Sequence, residues 1–246
     1  MKLLITGTTG FVGHKLKASY KDAIAAPSLR NATQDMVKKI VEESEADVVI
    51  HTAAISDIGT CQKDPQSSYF ANVQIPLYLA AACKDRKLIC FSSDQVYSAC
   101  KEEGPYIEDV VKPGNIYAEH KLEMEERVLE LIPSAVMLRA EWMYDYVSPK
   151  PNYFLNVLHA SQQVSFSSRQ FRGVTYLKEV VENMDHVMTL PGGAYNFGSE
   201  TTHSMYEITE RFLQLLGKDV QLQDALPRHN LWMNCEKVRK YGIEFS

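Results

Sequence analysis

A tyrosine and a lysine four residues apart, Tyr117 and Lys121, follow a pair of serines that ends at Ser93. Residues four apart on a helix share one face, so the Lys121 ammonium would lie beside the Tyr117 phenol. A free tyrosine has a pKa of about 10, and a neighbouring positive charge favours the phenolate by about one to three units. The three side chains therefore predict a proton-transfer site, in which Ser93 steadies the charge that develops on a substrate oxygen.

A glycine-rich turn follows the first apolar stretch of the chain, with the spacing GxxGxxG. Glycine lets the backbone turn tightly and approach a pyrophosphate, and the amides at the start of the following helix supply hydrogen-bond donors. The turn predicts a dinucleotide site ahead of the proton-transfer residues, which together indicate hydride transfer. Its candidate cofactor contacts are Gly7, Thr9, Gly10, Phe11, Val12 and Gly13.

The end of the second predicted strand indicates which dinucleotide binds. An acidic residue there would bind the ribose 2′-hydroxyl of NAD, whereas a 2′-phosphate prefers arginine and hydroxyl groups. The segment 25–30 has no acid and contains Ser28 and Arg30. We therefore expect NADP(H) as the preferred cofactor, with NAD(H) as the alternative.

Apolar runs alternate with helical patterns through the first two thirds of the chain, which is typical of a parallel sheet covered on both faces. The fold class predicted is α/β, a Rossmann-type doubly wound parallel sheet with a small C-terminal substrate lobe. The predicted strands are Lys2–Thr6, Ala23–Ala26, Asp47–His51, Leu88–Ser92 and Ala135–Arg139. The predicted helices are Phe11–Tyr20, Gln34–Glu45, Tyr69–Asp85 and Tyr117–Leu131, the last capped by Asn115.

The alternation weakens after Trp142, where stretches rich in proline, asparagine and glycine begin. We expect residues 1–140 to form the dinucleotide-binding domain and residues 171–190 to return to it. The small substrate-binding lobe would consist of residues 141–170 and 191–246.

Composition narrows the class of protein. The formal net charge of −5 and the lack of basic runs argue against a nucleic-acid partner. The five cysteines show no CxxC pair, so we expect reduced, mostly buried thiols. No stretch has the apolar length of a membrane span, and the N-terminus is a predicted strand rather than a signal peptide. These features predict a cytoplasmic protein without a membrane partner, and the seven histidines show no metal-ligand spacing.

The sequence resembles the extended, sugar-nucleotide branch of the short-chain dehydrogenase/reductase superfamily, and most of all the dTDP-4-dehydrorhamnose reductase family. The resemblance covers essentially the whole chain. Besides the glycine turn, it is carried by DVVIHTAA (47–54), DPQSSYFANV (64–73), FSSDQVY (91–97), PGNIYAEHKLEMEE (113–126), LRAEWMY (138–144), GAYNFGS (193–199) and LPRHNLWMN (226–234).

The resemblance implies roles for individual residues. Ser93 would be the catalytic hydroxyl, Tyr117 the acid/base and Lys121 its helper, and the last two would also contact the cofactor. Ala53, Ala54 and Asn72 are implied on the cofactor side, and Asp94 and Trp142 match positions that contact the sugar. Gln95 stands where the family has an aromatic residue that would contact the sugar.

The substrate diphosphate needs cationic partners, and arginine matches phosphate geometry. The candidates are Arg139, Arg169, Arg172 and Arg228, of which Arg172 is the one assigned to the substrate. Structural or surface salt bridges are the expectation for at least two of them.

Three reactions and one non-catalytic role can be compared on this basis. Dehydratases of the superfamily carry an Asp-Glu pair after the catalytic hydroxyl, and the amide of Gln95 cannot act as that base. An epimerase would retain NAD, which the missing acid disfavours. We therefore expect an NADP(H)-dependent reductase of a nucleotide-linked 4-keto-6-deoxy sugar. The alternatives are a sugar-nucleotide epimerase and a non-catalytic NADP-binding regulatory protein, and a homodimer is a further expectation from the resemblance.

Overall fold

A computed structural model of the chain describes residues 1–148, 150–225 and 228–246. The segment LPRHNLWMN begins with Leu226 and Pro227, which lie outside the described residues, as does Pro149 in the range predicted for the second lobe. Among the helices of the described part, none is long and apolar enough to cross a membrane. The five cysteines are free thiols, and four of them are buried.

The described chain contains both strands and helices. The strands are β1 Leu3–Thr6, β2 Ile24–Ala25, β3 Val48–His51, β4 Lys87–Ser93, β5 Val136–Ala140, β6 Trp142–Tyr144, β7 Gln163–Phe166, β8 Gln170–Phe171, β9 Val174–Tyr176, β10 Gly193–Phe197, β11 Gln221–Asp224 and β12 His229–Asn230. The helices are α1 Phe11–Ser19, α2 Gln34–Ser44, α3 Ile58–Lys63, α4 Pro65–Tyr69, α5 Ile75–Ala82, α6 Ile116–Leu131, α7 Tyr153–His159, α8 Leu177–Glu182, α9 Met184–Val187, α10 Met205–Leu215 and α11 Glu236–Arg239.

The central sheet has six parallel strands within the described residues, in the order β10-β5-β4-β3-β1-β2. The predicted Rossmann-type parallel sheet is confirmed. The winding reverses between β1 and β3, and in open α/β sheets ligands bind at the carboxyl ends of the strands at such a point. The register pairs Thr6 with His51 and Ser93 with Ala140, so the carboxyl ends of four neighbouring strands meet at one edge.

Two apolar clusters cover the two faces of the sheet. On one face Ile5 packs with Leu16 of α1 and with Leu177 and Val180 of α8. On the other face α2, α5 and α6 cover the sheet through a second cluster. Because β1 and β3 are buried on both faces, they read in the sequence as continuous apolar runs rather than as alternating patterns.

A third, smaller cluster joins α7 to α10 and includes Tyr153, Val157, Met205 and Leu213. Strand pairs β7–β11, β8–β12 and β6–β9 lie beyond the main sheet. The division of the chain into a dinucleotide-binding domain and a substrate lobe stays a prediction. Helices α8 and α9 pack in the first cluster, where a return of residues 171–190 would place them.

Two segments within the range predicted for the lobe pack with the main sheet instead. β10 falls in the range 191–246 predicted for the lobe, yet it extends the main sheet beside β5. Gly192, just before β10, lets the backbone pass close to Pro133, since a Cβ atom at this position would lie 1.8 Å from the Pro133 carbonyl oxygen. Residues 231–243 also supply apolar side chains to the first cluster, among them Leu231 and Ile243. The sequence pattern missed both because these contacts connect segments far apart in the chain.

The predicted helix Tyr69–Asp85 is composite. It begins earlier, as α4 at Pro65, continues through a π-helical stretch at Phe70–Gln74 and ends as α5 at Ala82. The extra residue per turn in such a stretch reorients side chains, and π-helical turns are frequent at functional sites.

A buried ion pair fixes α6 against the sheet. The Arg139 guanidinium on β5 donates to both carboxylate oxygens of Glu125 on α6, at 2.6–3.1 Å, and to the Tyr97 hydroxyl at 2.9 Å. The Ser92 hydroxyl on β4 donates to the same carboxylate. Arg139 is therefore a structural residue here and not a diphosphate ligand, which corrects that expectation.

Removing one partner of this pair should destabilise the chain strongly. We expect Glu125→Gln to lower the free energy of unfolding by about 3–5 kcal/mol, because it leaves a buried guanidinium without its counter-charge. Glu126→Gln on the exposed face of the same helix should change it by less than about 0.5 kcal/mol. Urea unfolding of both variants measures this, and equal stabilities would contradict the structural role.

Candidate active site

The glycine turn connects β1 to α1 through backbone positions that exclude side chains. Gly7 has a φ of 72°, and a Cβ atom there would lie 2.7 Å from the Ala53 amide nitrogen. A Cβ atom at Gly13 would lie 2.3 Å from the Gly7 carbonyl oxygen. The first amides of a helix have no partner within it, and at α1 they follow Gly10, which has no side chain to cover them. The turn therefore has the open cradle that a pyrophosphate requires.

A cavity of about 1320 Å³ extends from this turn along the carboxyl edge of the sheet. It passes the ends of β1, β3, β4 and β5, which is where the reversal of the winding places a ligand site. The predicted residues that line it are Gly7, Thr9, Gly10, Phe11, Val12, Ser28, Arg30, Ala53, Ala54, Ser93, Asp94, Gln95, Tyr117, Lys121, Trp142 and Arg172.

Gly13 and Asn72, which were also predicted to contact the cofactor, lie behind this surface. Asn72 is fully buried in the π-helical stretch. Its side-chain amide donates to the Ile55 carbonyl at 2.9 Å and accepts from the Ile55 amide at 3.2 Å. Asn72 thus fixes the loop that presents Ala53 and Ala54 to the cavity, rather than lining it.

Ser28 and Arg30 lie on the exposed loop after β2, at the far end of the cavity. The Arg30 amide donates to the Ser28 hydroxyl at 3.5 Å, so the two residues belong to one turn. Residues 27–33 contain no carboxylate. This end of the cavity can therefore offer a cation and a hydroxyl to an anionic group.

Helix α6 and strand β4 bring the proton-transfer residues together. The Asn115 side chain caps α6 by accepting from the Ala118 amide at 2.9 Å, which confirms the predicted cap. Lys121 is buried, donates to the Phe91 carbonyl at 2.7 Å, and its Nζ lies 5.9 Å from the centre of the Tyr117 ring. The Tyr117 side chain lines the same cavity as Ser93, whose hydroxyl is near enough to influence the Tyr117 pKa.

Burial controls the charge states of this set. It raises the pKa of Tyr117 above its ordinary value, and the nearby Ser93 hydroxyl opposes that rise only in part. Burial also lowers the pKa of Lys121 to about 8. The phenolate favoured by Lys121, which the spacing led us to expect, is therefore outweighed. Tyr117 is a neutral phenol at neutral pH, which is the form that donates a proton.

The substrate end of the cavity contains a buried ion pair. Arg172 donates to one oxygen of Asp94, and its guanidinium carbon lies 4.2 Å from the centre of the Trp142 ring. The other oxygen of Asp94 accepts from the Ser93 hydroxyl at 3.1 Å, and Ser93 in turn accepts from the Gln95 amide at 3.2 Å. Arg172 lines the cavity while pairing with Asp94, so its expected role as a ligand of the substrate diphosphate stays a prediction.

The other proposed arginines do not line the cavity. Arg228 is exposed and pairs with Glu103 at 3.4 Å, and Arg169 precedes β8. Across the described ranges, no cluster of three or more histidine, cysteine or acidic side chains could hold a metal ion.

Glu141 is a site residue that the sequence reasoning missed. It lines the cavity, is buried, and directly follows β5 beside Asp94. The signal was present, since a polar residue after an apolar strand in a parallel sheet lies at the ligand-binding edge. Ser93, at the end of β4, lies at the same edge.

A parallel α/β sheet with a glycine turn after its first strand, and with serine, tyrosine and lysine side chains on one cavity, defines the extended short-chain dehydrogenase/reductase class. The model of one family within it, described as the RmlD substrate binding domain, matches residues 1–234. The chain belongs to this family.

Curated relatives are similar over different lengths. The dTDP-4-dehydrorhamnose reductase of Aggregatibacter actinomycetemcomitans is 27% identical over 248 residues, which cover 92% of this chain and 84% of that protein. The dTDP-4-dehydrorhamnose reductase of Mycolicibacterium smegmatis is 33% identical over 152 residues, which cover 58% of this chain but only 46% of that protein.

A solved structure of dTDP-4-dehydrorhamnose reductase from Bacillus anthracis, in complex with NADP, superposes with a TM-score of 0.85. The alignment covers 99% of this chain and 92% of that one, at 19% identity. At this identity the likeness shows the fold.

The glycine turn provides a direct test of the cavity. We expect Gly7→Ala to weaken NADPH binding at least about tenfold, because the new Cβ would strain the turn and meet the loop after β3. Gly59→Ala is the matched control, since its Cβ would have its nearest neighbour at 3.5 Å. Fluorescence titration of NADPH, on variants shown by circular dichroism to be folded, measures both. Wild-type affinity in Gly7→Ala would contradict the assigned cradle.

Proposed function

We propose that the chain is an NADP(H)-dependent reductase of a nucleotide-linked 4-keto-6-deoxy sugar, similar to dTDP-4-dehydrorhamnose reductase. The observation that carries the proposal is that Ser93, Tyr117 and Lys121 lie on the same cavity as the glycine turn. Family membership and the names of the relatives support the substrate class.

The residues of the cavity fit a bound dinucleotide. The cradle at Gly7 and Gly10 would take the pyrophosphate, and Arg30 with Ser28 would take a 2′-phosphate. Bound NADPH supplies a hydride to the carbonyl carbon of the sugar. Lys121, with three donors of which one binds the Phe91 carbonyl, has donors left for the nicotinamide ribose.

Tyr117 and Ser93 act on the carbonyl oxygen. As the carbonyl carbon is reduced, negative charge develops on this oxygen, and the Ser93 hydroxyl stabilises it by turning its one proton from Asp94 to this oxygen. The Tyr117 phenol donates the proton that completes the alcohol. The raised pKa of Tyr117 keeps this proton in place until the oxygen becomes basic.

The alternatives make different predictions. An epimerase would interconvert sugars without net oxidation of NADPH, and the loop without a carboxylate after β2 supports NADP(H) instead. A regulatory protein would bind NADPH without turnover. A homodimer and a cytoplasmic location remain predictions, and light scattering tests the first of them.

The assay that tests the proposal is NADPH oxidation with a dTDP-4-keto-6-deoxyhexose, with NADH in parallel. Sugar-dependent oxidation that is faster with NADPH is the expected result. Tight NADPH binding without turnover on any keto sugar would contradict the reductase and favour the regulatory alternative.

Tyr117→Phe should separate binding from chemistry. The ring remains while the proton donor is lost, so we expect unchanged NADPH affinity and a kcat lower by about 10²–10⁴-fold. Stopped-flow measurement of a single turnover shows whether the chemical step itself has slowed. A kcat close to that of the wild type would refute the assignment of Tyr117.

The coenzyme preference should depend on Arg30. We expect Arg30→Ala to raise KM for NADPH about tenfold or more while leaving KM for NADH unchanged, because only NADPH has the 2′-phosphate. Arg211→Ala, an exposed arginine on α10 away from the cavity, is the control and should change neither value. Equal effects of Arg30→Ala on both coenzymes would mean that Arg30 does not read the 2′-phosphate.

A further inference from the structure

The Glu141 carboxyl occupies a pocket of matching shape behind the substrate end of the cavity. A Cβ atom at Gly173 would lie 2.1 Å from its Oε1, and a Cβ atom at Gly198 would lie 2.5 Å from the same oxygen. The Thr175 hydroxyl donates to Oε1 at 2.7 Å. Two glycines and a threonine, from two segments distant in the sequence, thus make room for this one side chain.

Three buried polar atoms meet in this region without a hydrogen-bond partner among the described residues. They are Oε2 of Glu141, Nε of Arg172 and the Ser199 hydroxyl. Most buried polar groups in proteins are paired, so unpaired ones beside a ligand cavity call for an explanation beyond packing. The Ser199 amide is itself tied to Thr175 at 2.8 Å, which connects the group into one cluster.

The charges around Glu141 are unbalanced. Asp94 and Glu141 are two carboxyl groups, and Arg172 is the cation that faces both. The other titratable groups that face the cluster are His229 on β12, Cys235 before α11 and Tyr117 on α6. Because Arg172 is bonded to Asp94, the second carboxyl group lacks a counter-charge of its own.

We propose that Glu141 is a positioning residue. Because Glu141 does not compete for the Arg172 guanidinium, Arg172 stays paired with Asp94. Asp94 in turn holds the Ser93 hydroxyl where the substrate oxygen binds. The proposal rests on the proposed function, since it is the reduction of that substrate that Ser93 assists. Glu141 acts through Asp94 and Arg172 and does not itself react.

The protonation of Glu141 decides whether the arrangement holds. Burial raises the pKa of Glu141 to about 8, and the hydrogen bond from Thr175 opposes that rise. Below this pH the side chain is a neutral acid that does not compete for Arg172. Above it, two carboxylates share one guanidinium, and the hold of Arg172 on Asp94 weakens. Asp94, which accepts the hydrogen bond from Ser93, is then itself held less firmly by Arg172.

Steady-state kinetics across this pH range tests the positioning role. We expect wild-type kcat to fall as pH rises through about 8. Glu141→Gln should lose that part of the fall, because an amide resembles the neutral acid and cannot ionise. The exposed Glu126→Gln is the matched control and should keep the wild-type profile.

Lys121 also has a lowered pKa, of about 8, so an alkaline fall alone does not identify its source. The comparison of wild type with Glu141→Gln isolates Glu141, because Lys121 is present in both. An alkaline fall that is identical in the two proteins would overturn the proposal.

The pH dependence of the free energy of unfolding provides a second test that needs no substrate. A carboxyl whose pKa rises from 4.5 to about 8 on folding binds more protons in the native state between these values. Wild-type stability should therefore decline as pH rises through this window, relative to Glu141→Gln. The ratio of the two unfolding constants should change by up to about tenfold per pH unit.

The kinetic and stability measurements together distinguish failure of the positioning role from failure of the proposed function. Parallel stability curves would overturn the proposal even if the wild type reduces the sugar. Diverging curves from a wild type that reduces no keto sugar would reject the proposed function, and with it the positioning role. Diverging curves together with a flattened alkaline limb in Glu141→Gln would establish both.

Discussion

The hydrogen bond from the Lys121 ammonium to the Phe91 carbonyl ties α6 to β4, and the geometry of the site depends on it. Tyr117 lies about one turn before Lys121 on the helix, and Ser93 lies two residues after Phe91 on the strand. Joining Lys121 to Phe91 therefore brings the phenol and the hydroxyl together. The Glu125–Arg139 ion pair repeats the tie one turn further along α6, so the helix is fixed in both position and rotation.

The site combines this rigid frame with burial. Ser93, Tyr117 and Lys121 are all buried, and burial raises the pKa of the phenol while lowering the pKa of the ammonium. Both shifts follow from the cost of placing a charge in a medium of low polarity. They suit reduction, in which a neutral phenol donates its proton to an oxygen that becomes basic during the reaction.

Local spacing was enough to predict the parts of the site that depend on neighbours in sequence. The glycine turn, the Tyr117–Lys121 face and the Asn115 cap are short-range features, and they appear where the pattern places them. The parallel sheet was also predictable, because buried strands read as continuous apolar runs. What could not be predicted depends on contacts between distant segments. The pairing of Arg172 with Asp94, the addition of β10 to the main sheet and the pocket of Glu141 are all of this kind.

The direct transfer of hydride to the sugar is the central claim, and isotope transfer tests it most directly. The chain would be incubated with NADPH carrying deuterium at C4 of the nicotinamide and with a dTDP-4-keto-6-deoxyhexose, and the product examined by NMR and mass spectrometry. One deuterium at C4 of the sugar, with one NADPH oxidised per alcohol formed, is the predicted result. Epimerised sugar without deuterium or net NADPH oxidation, or no product while NADPH binds, would contradict it.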